Sequence, residues 1–239
     1  MNNVNINKWR KRRMCDILLK YPRVLSLLDR LHIYLELHEM TVEEVCDQTE
    51  TEISFFVILL ESFLDKNDSY STEGICDTSL LPHFVEYLRE SHYYFLNKKI
   101  PYLNKVLSEF ISKSEHPQIG LLKMFFEEYC QEVHQHMTYE DRMVFPYIAN
   151  LYQASITEES NNIEFSIDQF EEHHTNIEEK LSDLKNLLIK HFASNSGNFL
   201  KTQFLLNLYD LEDEIHDHSR LEDDILIPLV KQLETQTRR

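Results

Sequence analysis

The amino-acid sequence reads as all-α: an up-down four-helix bundle preceded by a small helical domain. Three observations carry that reading. The 239 residues include only 3 glycines and 6 prolines, too few for folds built on many tight turns, and neither GxGxxG nor GxxxxGK[ST] occurs. With 27% charged and 42% hydrophobic residues, the composition suits long amphipathic helices. Polar breaks at residues 112–117, 155–162 and 193–198 leave four segments, about 80–111, 118–151, 163–192 and 199–234, whose short connections favour antiparallel neighbours.

Taken in order, residues 1–70 form the small helical N-terminal domain, opening on a basic arm with KWRKRR at residues 8–13. Residues 71–79, part of a polar stretch that contains Gly74, are expected to be a linker, and residues 80–234 the bundle. The apolar stripe of the first long segment runs Leu81, Phe84, Leu88, His92, Phe95. In the second it runs Leu122, Phe126, Tyr129, Val133, His136, Glu140, Val144; in the third Ile167, Phe170, His174, Ile177, Leu181, Leu184, Leu188. In the fourth it runs Leu208, Leu211, Ile215, His218, Glu222, Ile225, Leu229. Each seam thus carries one histidine, and two carry a glutamate one turn later.

The second and fourth segments share a phrase, HQHMTYEDRMVFP at residues 134–146 and HDHSRLEDDILIP at 216–228. His134 matches His216, His136 His218, Glu140 Glu222, Asp141 Asp223 and Pro146 Pro228. The His-x3-Glu spacing puts imidazole and carboxylate on one helical face, about 5–6 Å apart at Cβ, so both can reach one metal or two adjacent metals. A carboxylate in a bundle core is costly unless it is protonated, paired or metal-bound, and no Arg or Lys lies on these seams. Four imidazoles and two carboxylates from four helices suit a pair of first-row metals, each taking two histidines with the glutamates between them. A solvent oxo or hydroxo bridge completes that arrangement and leaves room for a small ligand. Manganese or zinc suits the same donors, but imidazole-rich ligation points first to iron that binds O2 or NO.

The phrases at residues 136–146 and 217–228, with EHHTNI at 172–177, resemble the signatures of hemerythrin-like domains, in particular the "repair of iron centres" di-iron family. The similarity covers about residues 80–232. It implies His92, His136, His174 and His218 as imidazole ligands and Glu140 and Glu222 as bridging carboxylates, around two non-haem iron ions with an oxo or hydroxo bridge. The task it implies is protection or repair of iron-sulfur proteins under oxidative or nitrosative stress, with O2, NO or peroxide as small ligand. Iron-sulfur proteins and an external reductase are the macromolecular partners it implies, and NO reduction or cluster repair the turnover. YPRVLSLLDRL at residues 21–31 and TVEEVC at 41–46 are similar to the small domain that precedes the bundle in that family. Where relatives carry an adjacent cysteine pair, this chain has Tyr34, Leu35, Glu36 and Leu37, with no thiol until Cys46, so thiol-assisted chemistry is not expected.

Other residues read more plainly. His173 adjoins His174, and a slip of one residue exchanges them as ligand and neighbour. Asp141 and Asp223 either face solvent or hold a ligating imidazole, and His134 and His216 either back the site or face solvent. His116 before Pro117 reads as a turn, and the 12 tyrosines and 14 phenylalanines as core.

Two other functions fit parts of the chain. A sensor or regulator of O2, NO or redox state would use the N-terminal domain to contact DNA or protein. Residues 50–64 hold no Lys or Arg and three glutamates, which disfavours a nucleic-acid groove and leaves protein contact, including a homodimer. An iron storage or donor protein would exploit the acidic surface: 24 basic against 41 acidic residues give a net charge of −17, which attracts cations and repels nucleic acid and anionic membrane. No stretch approaches the roughly 20 apolar residues of a membrane span. The four cysteines, widely spaced without CxxC, fit reduced thiols and a cytoplasmic location.

Overall fold

The computed structural model describes residues 6–64, 77–114, 116–157, 166–167, 170, 177–192 and 198–237, the side chains of 177–179 excepted. Among them the fold is all-α, its one extended contact an isolated bridge between Arg13 and Thr41. The N-terminal helices are α1 (Ile6–Trp9), α2 (Met14–Lys20), α3 (Val24–Arg30), α4 (Val42–Gln48) and α5 (Ile53–Leu64). A 3-10 turn, Thr78–Leu80, leads into the helices of the bundle. Its first run is α6 (Leu81–Tyr94) and α7 (Ile100–Lys113), its second α8 (Ile119–Tyr139) and α9 (Phe145–Thr157). The third is described as α10 (Ile177–His191), and the fourth is α11 (Asn198–Leu221) with α12 (Ile227–Thr237). No helix of the described residues is long and apolar enough to cross a membrane.

The chain divides into two compact units. The first comprises Met1–Glu90, Ile148–Asn162 and Arg220–Arg239. Its centre is α5, buried at every position from Phe55 to Phe63, with α1, α3 and α4 packed against it. So apolar a helix survives because other helices cover it on all sides. Its one buried carboxylate, Glu61, accepts from Trp9 Nε1 at 2.9 Å and from Lys8 Nζ at 3.4 Å. The Phe55 ring meets Phe84 edge-on at 5.1 Å, tying α5 to α6. Residues 55–63, the middle of the segment read from the sequence at 50–64, are thus core. Thr41 starts α4 through a reciprocal cap, its Oγ1 accepting from Glu44 N at 3.3 Å while its own N donates to Glu44 Oε2 at 2.8 Å.

The second unit comprises Ser91–Tyr147 and Ile163–Ser219. The side chains of Phe95, Leu103, Phe126, Val133, Leu184 and Leu208, from all four helical runs, share one apolar core. The anticipated stripes are buried wherever the residues are described, including Ile167, Phe170, Leu181, Leu184 and Leu188 of the third run. His136 is the exception: its side chain is 18% exposed, and Met137 takes the fully buried place beside it.

A polar cross-link stands in this core. Lys99 Nζ donates to Glu214 Oε1 at 3.0 Å and pairs with Asp210, and the Tyr94 hydroxyl donates to Glu214 at 3.3 Å. Burial pushes the Lys99 ammonium towards neutrality, but Glu214 and Asp210 outweigh it and hold its pKa above the ordinary value.

Candidate metal centre

The site is assembled from long helices interrupted in a regular way. Three π turns break the α register: Phe95–Lys99 between α6 and α7, Glu140–Val144 between α8 and α9, and Glu222–Leu226 between α11 and α12. Each is closed by a wide bond, from the N–H of Ile100, Phe145 or Ile227 to the carbonyl of Phe95, Glu140 or Glu222, respectively. Two of the turns open on a glutamate that the sequence marks as a ligand, and the third opens three residues beyond His92.

Near the end of α6, His92 is 1% exposed, and Glu140 at the start of its π turn is 0% exposed. His92 Nε2 lies 3.1 Å from Glu140 Oε2 and 3.1 Å from His218 Nε2. From the other side, His136 Nε2 is 2.9 Å from Glu140 Oε1, so the carboxylate lies between two imidazoles. Glu222 follows His218 by one turn of the same continuous helix and is equally buried. One ligand atom from each of His92, Glu140, His218 and Glu222 can be chosen so that all lie within 4.8 Å of one another.

The other ring nitrogen of His92, Nδ1, is 3.0 Å from Asp141 Oδ1. With a proton on Nδ1 the carboxylate accepts it, and Nε2 is left as a lone pair turned towards Glu140 and His218. Phenylalanines close the ring environment. Phe145 stacks on His92 at 5.3 Å with 19° between the planes, and Phe95 meets His218 edge-on at 5.7 Å.

The donor set fits a metal of the first transition row. Two buried carboxylates and two buried imidazoles, turned on one another at close range, are the hard and borderline donors that iron, manganese and zinc accept. Without a cation this grouping would concentrate negative charge and opposed lone pairs where water is scarce.

Of the six residues marked by the sequence, four come together and His136 joins them through Glu140. His174, with its neighbour His173, lies outside the described residues. Asp141 takes the orienting place, whereas its counterpart Asp223 is exposed. His134 is exposed, its Nδ1 3.4 Å from Thr138 Oγ1 of the next turn. His116 Nδ1 accepts from Gln118 N at 3.2 Å, a local turn contact. Burial pushes the Cys46 and Cys130 thiols each up to about 12, so neither is a thiolate at neutral pH. Sequence reasoning missed the π turns, the packing of Phe95 and Phe145 against the imidazoles, and the Lys99 cross-link. Prolines within helical runs were the available signal for the first.

Comparison with known proteins agrees with this geometry. Residues 83–230 match the model of the hemerythrin HHE cation binding domain. The chain is also similar to the iron-sulfur cluster repair protein ScdA of Staphylococcus haemolyticus (strain JCSC1435), 23% identical over 149 residues. That match covers 61% of this chain and 65% of the relative, just under two thirds of its length. With the family model spanning well over half of the chain and the buried histidines and glutamates inside its bounds, the protein belongs to the hemerythrin HHE cation-binding domain family.

Proposed function

We propose that the protein is a non-haem di-iron protein that takes O2, NO or peroxide as a small ligand and serves the protection or repair of iron-sulfur proteins under oxidative or nitrosative stress. The observation that carries the metal reading is the buried group of His92, Glu140, His218 and Glu222, its ligand atoms within 4.8 Å of one another. In this reading His136 and His174, the latter outside the described residues, would join the group as imidazole ligands, with Glu140 and Glu222 as the carboxylates that would hold both metals. The repair role is supported by the similarity to a protein named for iron-sulfur cluster repair. A reducing compartment such as the cytoplasm suits it, with a reductase restoring electrons from outside, since the chain has no nucleotide motif.

Bound there, iron would supply redox-active Lewis-acid chemistry. The chain's residues do the rest. Asp141 fixes the His92 ring so that Nε2 faces inward, which sets its tautomer and direction. Glu140 brings two carboxylate oxygens into reach of His92 on one side and His136 on the other. Phe145 and Phe95 lie against the imidazoles and limit water there, so charge in the site is weakly screened.

The test is the metal content and absorption spectrum of the air-purified protein, before and after reduction and addition of NO. Two irons per chain are expected, with ferric bands that bleach on reduction and shift with NO. Glu140→Gln, Glu222→Gln, His92→Ala and His218→Ala should each lower the iron content, and His174→Ala should lower it where His173→Ala does not. Unchanged iron in all four of the first variants would remove this site. An NO-damaged [4Fe-4S] dehydratase supplied with reductant should regain activity faster with wild-type protein than with His92→Ala.

A further inference from the structure

The π turns and the prolines of this chain occur together. Of the 6 prolines, Pro22 precedes α3, Pro117 precedes α8, and Pro82 lies in the first turn of α6, where a missing N–H costs nothing. The other three, Pro101, Pro146 and Pro228, lie inside long helical runs. Each follows the first residue of a π turn by six positions, and among the described residues no π turn lacks its proline.

The physical reason is local. In an unbroken α-helix the ring of Pro146 would strike the carbonyl of Arg142, four residues back, and the ring of Pro228 that of Asp224. Both carbonyls belong to the third residue of the five-residue π turn, and widening that turn moves them aside. The widened turn opens on Glu140 in one run and Glu222 in the other, so the same adjustment sets the direction of each buried carboxylate. In the second run it also lets the adjacent pair serve two atoms at once: Glu140 meets His92 Nε2 while Asp141 meets His92 Nδ1.

We propose that Pro146 and Pro228 are positioning residues of the metal centre: each holds a π turn open at a bridging glutamate and so fixes where that carboxylate points. This rests on the metal-binding reading above, and it concerns residues that touch no ligand themselves. Pro101 sets the third turn in the same way and thereby places Phe95 against His218 and Lys99 against Glu214.

The two roles of a helix-interior proline act in opposite directions, which makes the test sharp. Pro146→Ala and Pro228→Ala restore an N–H and a better helix former, so the metal-free protein should melt a few degrees higher. Affinity for Fe(II), titrated anaerobically, should fall by about ten-fold or more, as when a group that orients a ligand is lost. Pro82→Ala, outside any π turn, should leave the affinity within two-fold. Affinity within two-fold of wild type in both interior variants would overturn the proposal. So would lower affinity together with a lower metal-free melting temperature or failure to fold, because that pattern marks a general packing role. If instead wild-type protein binds no Fe(II), or Glu140→Gln binds it as wild type does, the fault lies in the metal-binding reading and is recognised as such.

Discussion

Glu214 and Glu140 are both buried carboxylates in the second unit, 9% and 0% exposed, and the protein accommodates them in different ways. Glu214 has a permanent cation: Lys99 Nζ at 3.0 Å, with the Tyr94 hydroxyl at 3.3 Å. Glu140 has imidazoles, His92 at 3.1 Å and His136 at 2.9 Å. A lysine closes its site to other cations, whereas imidazoles can turn lone pairs on one. The difference separates a carboxylate answered by a permanent cation from one that, on the metal reading proposed above, is complete only with a metal.

Removing each partner should break this contrast on different axes. Lys99→Met leaves Glu214 and Asp210 without their ammonium and should cost about 3 kcal/mol or more in urea unfolding, with or without iron. Glu140→Gln should leave the metal-free protein within about 1 kcal/mol of wild type, since an amide replaces a buried charge. It should, however, abolish the iron-dependent gain, which for wild type is about 4 kcal/mol at a thousand-fold excess of iron over Kd. A Lys99→Met penalty that iron repairs would mean that the two carboxylates belong to one system.

A smaller effect sharpens the contrast within the repeated phrase. Asp141 sits 3.0 Å from His92 Nδ1, while His134 of the same phrase is exposed, its Nδ1 3.4 Å from Thr138 Oγ1. Asp141→Asn should weaken Fe(II) binding about 10- to 100-fold, because the amide no longer holds the ring tautomer as strongly. His134→Gln should change it by less than about two-fold, as a surface substitution does. Equal losses in a side-by-side titration would mean that the contact of Asp141 with His92 is not what orients the ring.

Much of this was legible in the sequence because it follows from periodicity. Steps of three and four placed Leu208, Leu211, Ile215, His218 and Glu222 on one buried stripe, and the His-x3-Glu spacing marked Glu140 and Glu222 as intrusions into apolar seams. What periodicity assumes is a constant turn, and there it fails. The π turns change the register at Glu140 and Glu222, so the sequence could leave Asp141 only as a residue that either faces solvent or holds an imidazole, and the structure puts it on His92. His136 shows the same limit: a stripe marks it as inward, but the pattern cannot tell it from Met137, which holds the buried position. Lys99 was illegible for another reason. Its partners Asp210 and Glu214 are more than a hundred residues away, and only tertiary packing encloses Lys99 with Glu214 while the exposed Asp210 pairs with it from the rim.

The smallest expected effect is the pH signature of that pair. Lys99 has its pKa raised in the folded protein by Glu214 and Asp210, against the opposing effect of burial. A cation whose native pKa exceeds its unfolded value, about 10.4 for lysine, stabilises the fold fully below that value. The contribution is then lost as pH rises through the native pKa, because the unfolded chain releases the proton first. Wild-type stability should therefore decline above about pH 10 with a slope of up to one proton in excess of the remaining titrating groups, measured by urea unfolding of the metal-free protein between about pH 8 and 11. Lys99→Met should lack that excess while keeping the background slope. Glu140→Gln should retain it, since the carboxylate answered by imidazoles has no part in the titration of the one answered by lysine. A parallel alkaline decline in wild type and Lys99→Met would mean that the ammonium is not held in the core by its two carboxylates.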